Sequence, residues 1–456
     1  MNKRIVYLLA LVVLAASPLC VRAQQGSAPE QQGAGASGEV LTLDEAVSLA
    51  LRENRQVKNA QLAVGQAGDA VAAARTQRLP SMFVYSLVSQ QLVKHDAGPD
   101  NSDTNVVPGV GPFFSMGTGR RPTAIFAGQI LQPLSQQHRI RLEIEQAGLA
   151  REVEGEKLRG AEQTTVNQVK QTYYGILQTQ SALDSLLESI RYYRELDRVT
   201  ADNVAQKVSL KADSLEVKTR LAKAEYEALD LTNRLATEKE QFNNLLGRDV
   251  RAEFRVAGVP EAGGFEADLA LARSRALDQR PELREAQLKV RQAEVERRIK
   301  KSEYIPDVSL GFTYMSFRNF DNEAIPKNTA SLSVAVRWEV FDWGRKKSQL
   351  AEKESAIEQA KNGLRETENL VLIEVGDKFR KLQQTRQALV VAQLKQETAR
   401  ENIRISTNKY KVQAALLSDV LQTQATLADA DYQYQQALLA FWTARAEYEK
   451  AIGADK

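Results

Sequence analysis

Side chains that could do chemistry are few in this chain and thinly spread. Its 456 residues include two histidines and one cysteine. That is too few for a transition-metal enzyme, a Cys₄ zinc site or a disulfide framework, and the lone cysteine makes a poor thiol nucleophile. His95 stands near Asp96, Asp100 and Asp103. That set either takes a cation or forms a solvated loop, and the solvated loop is the preferred reading. His138, early in a helical stretch among charged neighbours, reads as structural. Gly109, Gly111, Gly117 and Gly119 fail the spacing of a dinucleotide fingerprint, because Phe114 and Pro122 fall where a third glycine is needed. No phosphate-binding loop, H-E-x-x-H or G-x-S-x-G occurs. No catalytic residue, metal site or cofactor is expected. The polar residues that stand out are Asp213, Tyr410 and Asp419. Each lies where a long helical stretch reverses direction, and an Asp at such a place caps the helix that follows.

The elements carrying these residues are helical by composition. Aromatic residues are 6%, proline contributes 12 residues and charged residues make up 26%. Ala, Gln, Glu, Leu, Lys and Arg fill the middle runs, and these lose little entropy in a helix. Lys+Arg 61 against Asp+Glu 58 gives +3, and Lys3, Arg4 and Arg22 account for all of it. The remainder is neutral, which provides no pull toward nucleic acid.

The first residues read as an export signal: Lys3-Arg4, an apolar run from Ile5 to Ala16, then a small-residue site cleaved between Ala23 and Gln24. Cys20 offers a second route, lipidation, although Leu19 stands where a small residue is wanted. The apolar run is short for a membrane span. A flexible segment is expected over 24–40.

An internal repeat organises the rest. Leu43–Pro80 aligns with Leu269–Pro306 at an offset of 226, with 12 identities in 38 positions. Val199–Gly247 aligns with Ile405–Gly453 at an offset of 206. The expected organisation is a first repeat over 41–247, a linker over 248–265, a second repeat over 266–453 and a tail over 454–456. Each repeat opens on a helical segment, 42–79 or 266–304. Thr42 and Glu45 form a capping-box pattern, and Pro80 or Pro306 ends the segment.

Strands follow near 81–93 and 123–134, and again near 307–318 and 330–341. In the last, Leu332, Val334, Val336, Trp338 and Val340 share one face and Ser331, Ser333, Ala335, Arg337 and Glu339 the other. The apolar face suits lipid, the small polar face suits a channel lining, and the lengths suit a transmembrane barrel. Proline-free stretches over 135–206 and 344–411 predict helices roughly 100 Å long. Apolar residues recur at sevens: Leu350, Ile357, Leu364 and Val371; Val375, Leu382, Leu389, Ile403 and Tyr410, with Gln396 interrupting; Ile176, Leu183 and Ile190 in the first half; and Leu215, Ala222, Leu229 and Ala236 on its return helix. Gly247 and Gly453 close the return helices. The fold class expected is a mixed α/β membrane protein, mainly long coiled coils with two strands per repeat.

In this order the chain resembles the TolC family of outer-membrane efflux proteins over about residues 41–453. The resemblance rests on Leu43…Ala46…Ala50-Leu51 and Leu269…Ala272…Ala276-Leu277, and on the Pro80 and Pro306 breaks. It rests also on Gln132-Pro133-Leu134, Val340-Phe341-Asp342-Trp343-Gly344-Arg345, Asp213-Ser214-Leu215 and Asp419-Val420-Leu421. The resemblance implies a homotrimer in outer-membrane lipid, with four strands per protomer completing a 12-stranded barrel and the helices forming a periplasmic tunnel. It implies a passive exit duct partnered by a periplasmic adaptor and an inner-membrane pump. It also implies a closed tip held through Asp213, Tyr410 and Asp419, with the capping role still open, and adaptor contacts at Lys207, Val208, Gln413 and Ala414. Ala415 and the pair Lys207 and Gln413 depart from the family pattern, which has an Arg and glycines there. The other class open to such a sequence is a periplasmic coiled-coil scaffold without a pore.

Mass spectrometry of the mature protein is expected to find Gln24 at its N-terminus. A diacylglycerol-modified Cys20 would reverse the order of the two export readings.

Overall fold

The computed structural model describes residues 39–89, 122–207, 210–260, 268–319, 326–412 and 414–454. The export signal, most of the 24–40 segment, His95 with its acidic neighbours, and the glycines from 109 to 119 lie outside the described residues. In chain order the elements are β1 (Glu39–Leu41), α1 (Leu43–Glu53), α2 (Arg55–Thr76), β2 (Ser81–Ser89), β3 (Thr123–Pro133), α3 (Gln137–Ala205) and α4 (Lys211–Leu245). The second series is β4 (Phe254–Val256), α5 (Leu269–Gln279), α6 (Pro281–Ser302), β5 (Asp307–Arg318), β6 (Asn328–Arg337), α7 (Arg345–Lys411) and α8 (Leu417–Ala451).

Thr42 starts α1 as its pattern predicts. Its hydroxyl accepts from the Glu45 N–H at 3.4 Å, while Glu45 Oε2 accepts from the Thr42 N–H at 3.0 Å. Each opening helical segment is broken in two, which the sequence reading treated as continuous. Asn54 stops α1 and caps α2, its Oδ1 accepting from the N–H groups of Gln56 and Val57 at 2.8 and 3.2 Å. At the equivalent place Pro281 occupies the first turn of α6, where its missing N–H costs nothing.

These breaks are where the return helices end. Asn54 Nδ2 donates to Leu245 O at 2.7 Å. Arg280, 226 residues later, donates to Lys450 O at 3.2 Å and Ala451 O at 3.5 Å, and pairs with Glu374 at 2.6 Å. Both side chains are buried. Orphan carbonyls at two helix C-termini are thus satisfied by the same position of the two repeats. Gly247 and Gly453 follow with φ of +73° and +79°. A Cβ on Gly247 would lie 2.4 Å from Glu53 O, and one on Gly453 would lie 3.0 Å from the Gln279 carbonyl carbon. Glycine is needed there for both its left-handed backbone and its closeness to the break.

The two largest cores surround these joints and repeat each other. Ala46, Ala50, Val169, Tyr173, Ile176, Leu235 and Phe242 fill one. Ala272, Ala276, Val375, Phe379, Leu382, Phe441 and Tyr448, at offsets of 226 and then 206, fill the other. The 248–265 stretch, expected to be a linker, is partly structured: β4 pairs with β1. Tyr173 Oη lies 2.7 Å from Ala257 O and 3.1 Å from Leu41 O, and Trp442 donates to Pro260 O at 3.2 Å.

The heptad lines hold in α3 and α7, where Ile176, Ile190, Val371, Val375, Leu382 and Leu389 are buried. Gln396, the interruption, is buried too and donates to Asp431 of α8 at 2.7 Å. In α4 the expected seam is corrected. Leu215, Ala222, Leu229 and Ala236 are exposed, while Ser214, Val217, Ala224, Ala228 and Leu235 are buried. Within one chain α4 packs along its length chiefly on α3, its last turns also meeting α1 and the α1–α2 break, whereas α8 packs on both α7 and α3. The exposed line of α4 is therefore the side turned away from its own chain.

Gly247→Ala is expected to destabilise the protein by roughly 2–4 kcal/mol, from a left-handed Cβ and a backbone clash. The loss would show as a lower temperature of helix unfolding by circular dichroism. Gly258→Ala, whose Cβ meets nothing within 4 Å, is the matched control and should leave that temperature unchanged.

Candidate functional site

Two regions at opposite ends of the long helices could serve transport: a four-stranded sheet and the pair of helix reversals. The sheet is antiparallel in the order β2-β3-β5-β6, so both repeats contribute a hairpin and the halves join through β3 and β5. The strands have 9, 11, 12 and 10 residues, the length that crosses a bilayer when tilted.

The register decides which residues share a face. Leu332 pairs with Phe312, Val334 with Leu310 and Val336 with Val308. Phe312 faces Ile130 and Tyr314 faces Gly128; Ile130 faces Met82 and Gly128 faces Val84. One face is therefore apolar across all four strands. It is the convex face: Phe126, Leu310 and Phe312 on the two central strands are exposed. The opposite face is concave and crowded, with a Cβ on Gly311 falling 2.9 Å from Ser333 Oγ and 3.3 Å from Leu131. It carries Ser331, Ser333, Thr313 and Gly311, and also Phe83, Tyr85 and Leu87 of β2.

Leu332, Val334 and Val336 thus lie on the convex face. Trp338 and Val340 are exposed but lie beyond the end of β6 at Arg337, which shortens the strand expected over 330–341. The ladder ends there because β5 begins at Asp307, opposite Arg337. Beyond it Phe341 and Trp343 pack edge to face at 4.8 Å. Asp342 caps the start of α7, accepting from the N–H groups of Gly344 and Lys346 at 3.1 and 2.9 Å. Those bonds, the Lys346 N–H first, hold its carboxyl below the ordinary range.

At the other end α3 closes on Lys207, whose φ is 60°. A glycine is absent here, yet the left-handed backbone that favours one is retained. Asp213 and Asp419 are each the third residue of a return helix, where a carboxylate interacts well with the helix dipole. Asp419 Oδ2 accepts the Leu416 N–H at 3.1 Å, so this residue caps its own helix. Tyr410 lies in the last turn of α7. The side chains of Asp213 and Tyr410, and all of Val208 and Gln413, lie outside the described residues. Ala414 is exposed, its N–H bonded to Lys409 O at 2.8 Å.

Sequence reasoning missed the apolar side chains beside them. Leu210 and Leu416, a repeat-related pair, are 71% and 70% exposed, and Val412 is 73% exposed. Their identity across the repeat was the available signal. Among the described residues no group of His, Cys, Asp and Glu could hold a metal ion. No helix there is long and apolar enough to cross a membrane.

The sequence profile of the outer membrane efflux protein family matches residues 46–248 and 272–454, one segment per repeat. No curated protein matches the chain by sequence. The fold is similar to that of the Campylobacter jejuni CmeC outer membrane channel, with TM-score 0.74 at 14% identity over 90% of this chain and 85% of that one. It is similar also to the Neisseria gonorrhoeae MtrE outer membrane channel in its open state, with TM-score 0.71, 16% identity, and 90% and 88% of the two chains covered. The Vibrio cholerae outer membrane protein VceC gives TM-score 0.69 at 14% identity, covering 90% and 96%.

Lys207→Gly is expected to stabilise the α3–α4 reversal by about 1 kcal/mol by relieving the left-handed lysine. Slower hydrogen exchange at the adjoining turns of α3 and α4 would register it; unchanged exchange would show that the turn bears no strain.

Proposed function

The chain belongs to the outer membrane efflux protein family and is an outer-membrane efflux channel; we propose that it works as the passive exit duct of a tripartite assembly. In this reading three copies close a 12-stranded barrel, a periplasmic adaptor docks at the helix reversals and an inner-membrane pump supplies the energy. The observation that carries it is the sheet. Its convex face is apolar from edge to edge, and β2 and β6 are open edges. In lipid every backbone polar group must be paired, so an open sheet is excluded and a closed ring of copies removes the edges. A periplasmic scaffold would have no use for such a face.

The concave face then lines the exit. Exposed Leu215 and Leu229 on α4, and Leu370 and Ile373 on α7, supply helix surfaces for neighbouring copies. At the tip, Lys207, Val208, Gln413 and Ala414 with the exposed Leu210, Val412 and Leu416 form the surface offered to the adaptor, since apolar groups clustered in water mark a binding site. Asp213, Tyr410 and Asp419 hold the closed tip, and Asp419 both caps α8 and adds negative charge at the constriction, favouring cations.

Two measurements test this. Outer-membrane fractions should show heat-modifiable gel mobility. Leu332→Arg, at mid-strand on the convex face, should abolish it, while Ser333→Arg should not, because an arginine on the lipid face near the midplane costs about 2–4 kcal/mol. Equal harm from both reverses the face assignment.

In planar bilayers Asp213→Ala with Tyr410→Phe should raise single-channel conductance, and Asp419→Ala should lower cation selectivity. Removing such contacts costs on the order of 1–3 kcal/mol, enough to shift a two-state tip. Wild-type conductance from an intact trimer of the double variant would move the gate elsewhere.

A further inference from the structure

Directly beneath the sheet is a cavity of about 590 Å³ between α3, α6 and α7. Its walls include Leu142 and His138 of α3, Leu350 of α7, Ile305 and Tyr304 of the turn into β5, and Arg298, Lys301 and Ser302 of α6. The volume falls in the range of small-molecule sites, and the lining is mostly apolar with a few convergent polar groups.

Several features set this cavity apart from the surfaces already assigned. α6 packs against α3 on one side and α7 on the other within the same chain. The cavity is therefore in the middle of the protomer, away from the open edges β2 and β6 that a neighbouring copy covers. It is also at the far end of the long helices from the reversals. Tyr304 and Ile305 immediately precede Pro306 and the first residue of β5, which places the cavity where the membrane-spanning sheet gives way to helices.

One of its basic groups has no carboxylate partner among the described residues. Arg298 pairs with Glu145. Lys301 is exposed, and among the described residues no carboxylate lies within ion-pair distance of it. Lys346 sits 5.8 Å over the Tyr304 ring behind the aromatic wall and is paired with Glu339 at 3.3 Å, which leaves Lys301 as the cation at the rim. On α3 the cavity residues and the ion pair to the sheet lie on different sides. Arg139 pairs with Asp307 at 3.2 Å, and Asp307 shares its parity in β5 with the concave residues Gly311 and Thr313. Glu145, on the cavity side, is about a third of a turn around α3 from Arg139. That turns the cavity side of α3 away from the Arg139–Asp307 pair.

An apolar pocket with a cationic rim at the base of a membrane sheet matches an amphiphile with a negative head. We propose that this cavity holds one anionic phospholipid of the periplasmic leaflet in each protomer. The phosphate lies at Lys301 and Arg298, and an acyl chain lies against Leu142, Ile305 and Leu350. The site rests on the outer-membrane placement argued above, and it would tie the helices to the leaflet just below the barrel.

The test uses the full-length trimer in detergent, titrated with dioleoylphosphatidylglycerol or dioleoylphosphatidylcholine and read by native mass spectrometry. Up to three phosphatidylglycerol adducts per trimer are expected, with phosphatidylcholine retained more weakly. Lys301→Gln should weaken phosphatidylglycerol about fivefold, the effect of one lysine at an anionic lipid surface. Ile305→Asp should remove the adducts of both lipids. Lys347→Gln, an exposed lysine on α7 outside the cavity, should change nothing. Equal retention of the two lipids, an unaltered Lys301→Gln, or equal losses from Lys301→Gln and Lys347→Gln would each overturn the site. Failure of the barrel reading looks different: no trimer and no heat-modifiable band, whatever lipid is added.

Discussion

The architecture depends on a buried joint made twice. In each repeat a return helix ends against the break between two short helices, and one buried side chain from the break takes up its last carbonyls. The first repeat uses the neutral amide of Asn54. The second uses the Arg280 guanidinium, whose charge is balanced by Glu374. A helix end buried without such partners would leave several backbone acceptors unsatisfied, at roughly 1–3 kcal/mol each. Because the joint also demands a glycine with positive φ, the chain can leave the return helix in one direction only. The two cores gather around these joints, and the hairpins of long helices extend from them.

Away from the joints the helices are held more lightly. Below the main cores, Ile190, Ala224 and Ala228 form a small separate cluster. Each hairpin adds one exposed ion pair at the same repeat position, Arg194 with Glu225 at 2.8 Å and Arg400 with Asp431 at 3.7 Å. Exposed pairs of this kind contribute at most about 1 kcal/mol. Sparse apolar contact with light polar ties is the physical profile of a region that opens locally without unfolding the rest. That gradient is the one the proposed gate at the tip would need.

The sheet meets a different constraint. Outward on its central strands stand Phe126, Ile130, Leu310 and Phe312, while inward a Cβ on Gly311 would meet the side chains of Leu131 and of Ser333 on β6. Crowding on one side and large apolar groups on the other fit the lipid face proposed above. The inner face is not uniform, since Phe83 and Tyr85 stack at 6.2 Å on β2 while β6 contributes serines and threonine. Each copy presents the exit path with an aromatic strip beside a polar one.

Periodicity and repetition made much of this legible. Thr42 with Glu45, the prolines 80 and 306, the long proline-free stretches and the closing glycines are local signals. Each acts through the backbone of its own neighbourhood, so the sequence by itself determined helix, strand, reversal and duplication. It did not reveal that Asn54 and Arg280 are equivalent, because an amide and a guanidinium share only what they do to a carbonyl 191 or 170 residues away. Nor did it choose between neighbouring heptad lines on α4, where Leu215 and Leu229 look as good a seam as Val217 and Ala224. Both lines are apolar, and only the position of α3 decides which is covered. For β2 the alternation left both faces apolar, and the side of Phe83 and Tyr85 was settled by pairing with β3. Local backbone preferences are written in adjacent residues. The choice among equally apolar faces belongs to the tertiary structure, because burial is decided by whatever element arrives opposite.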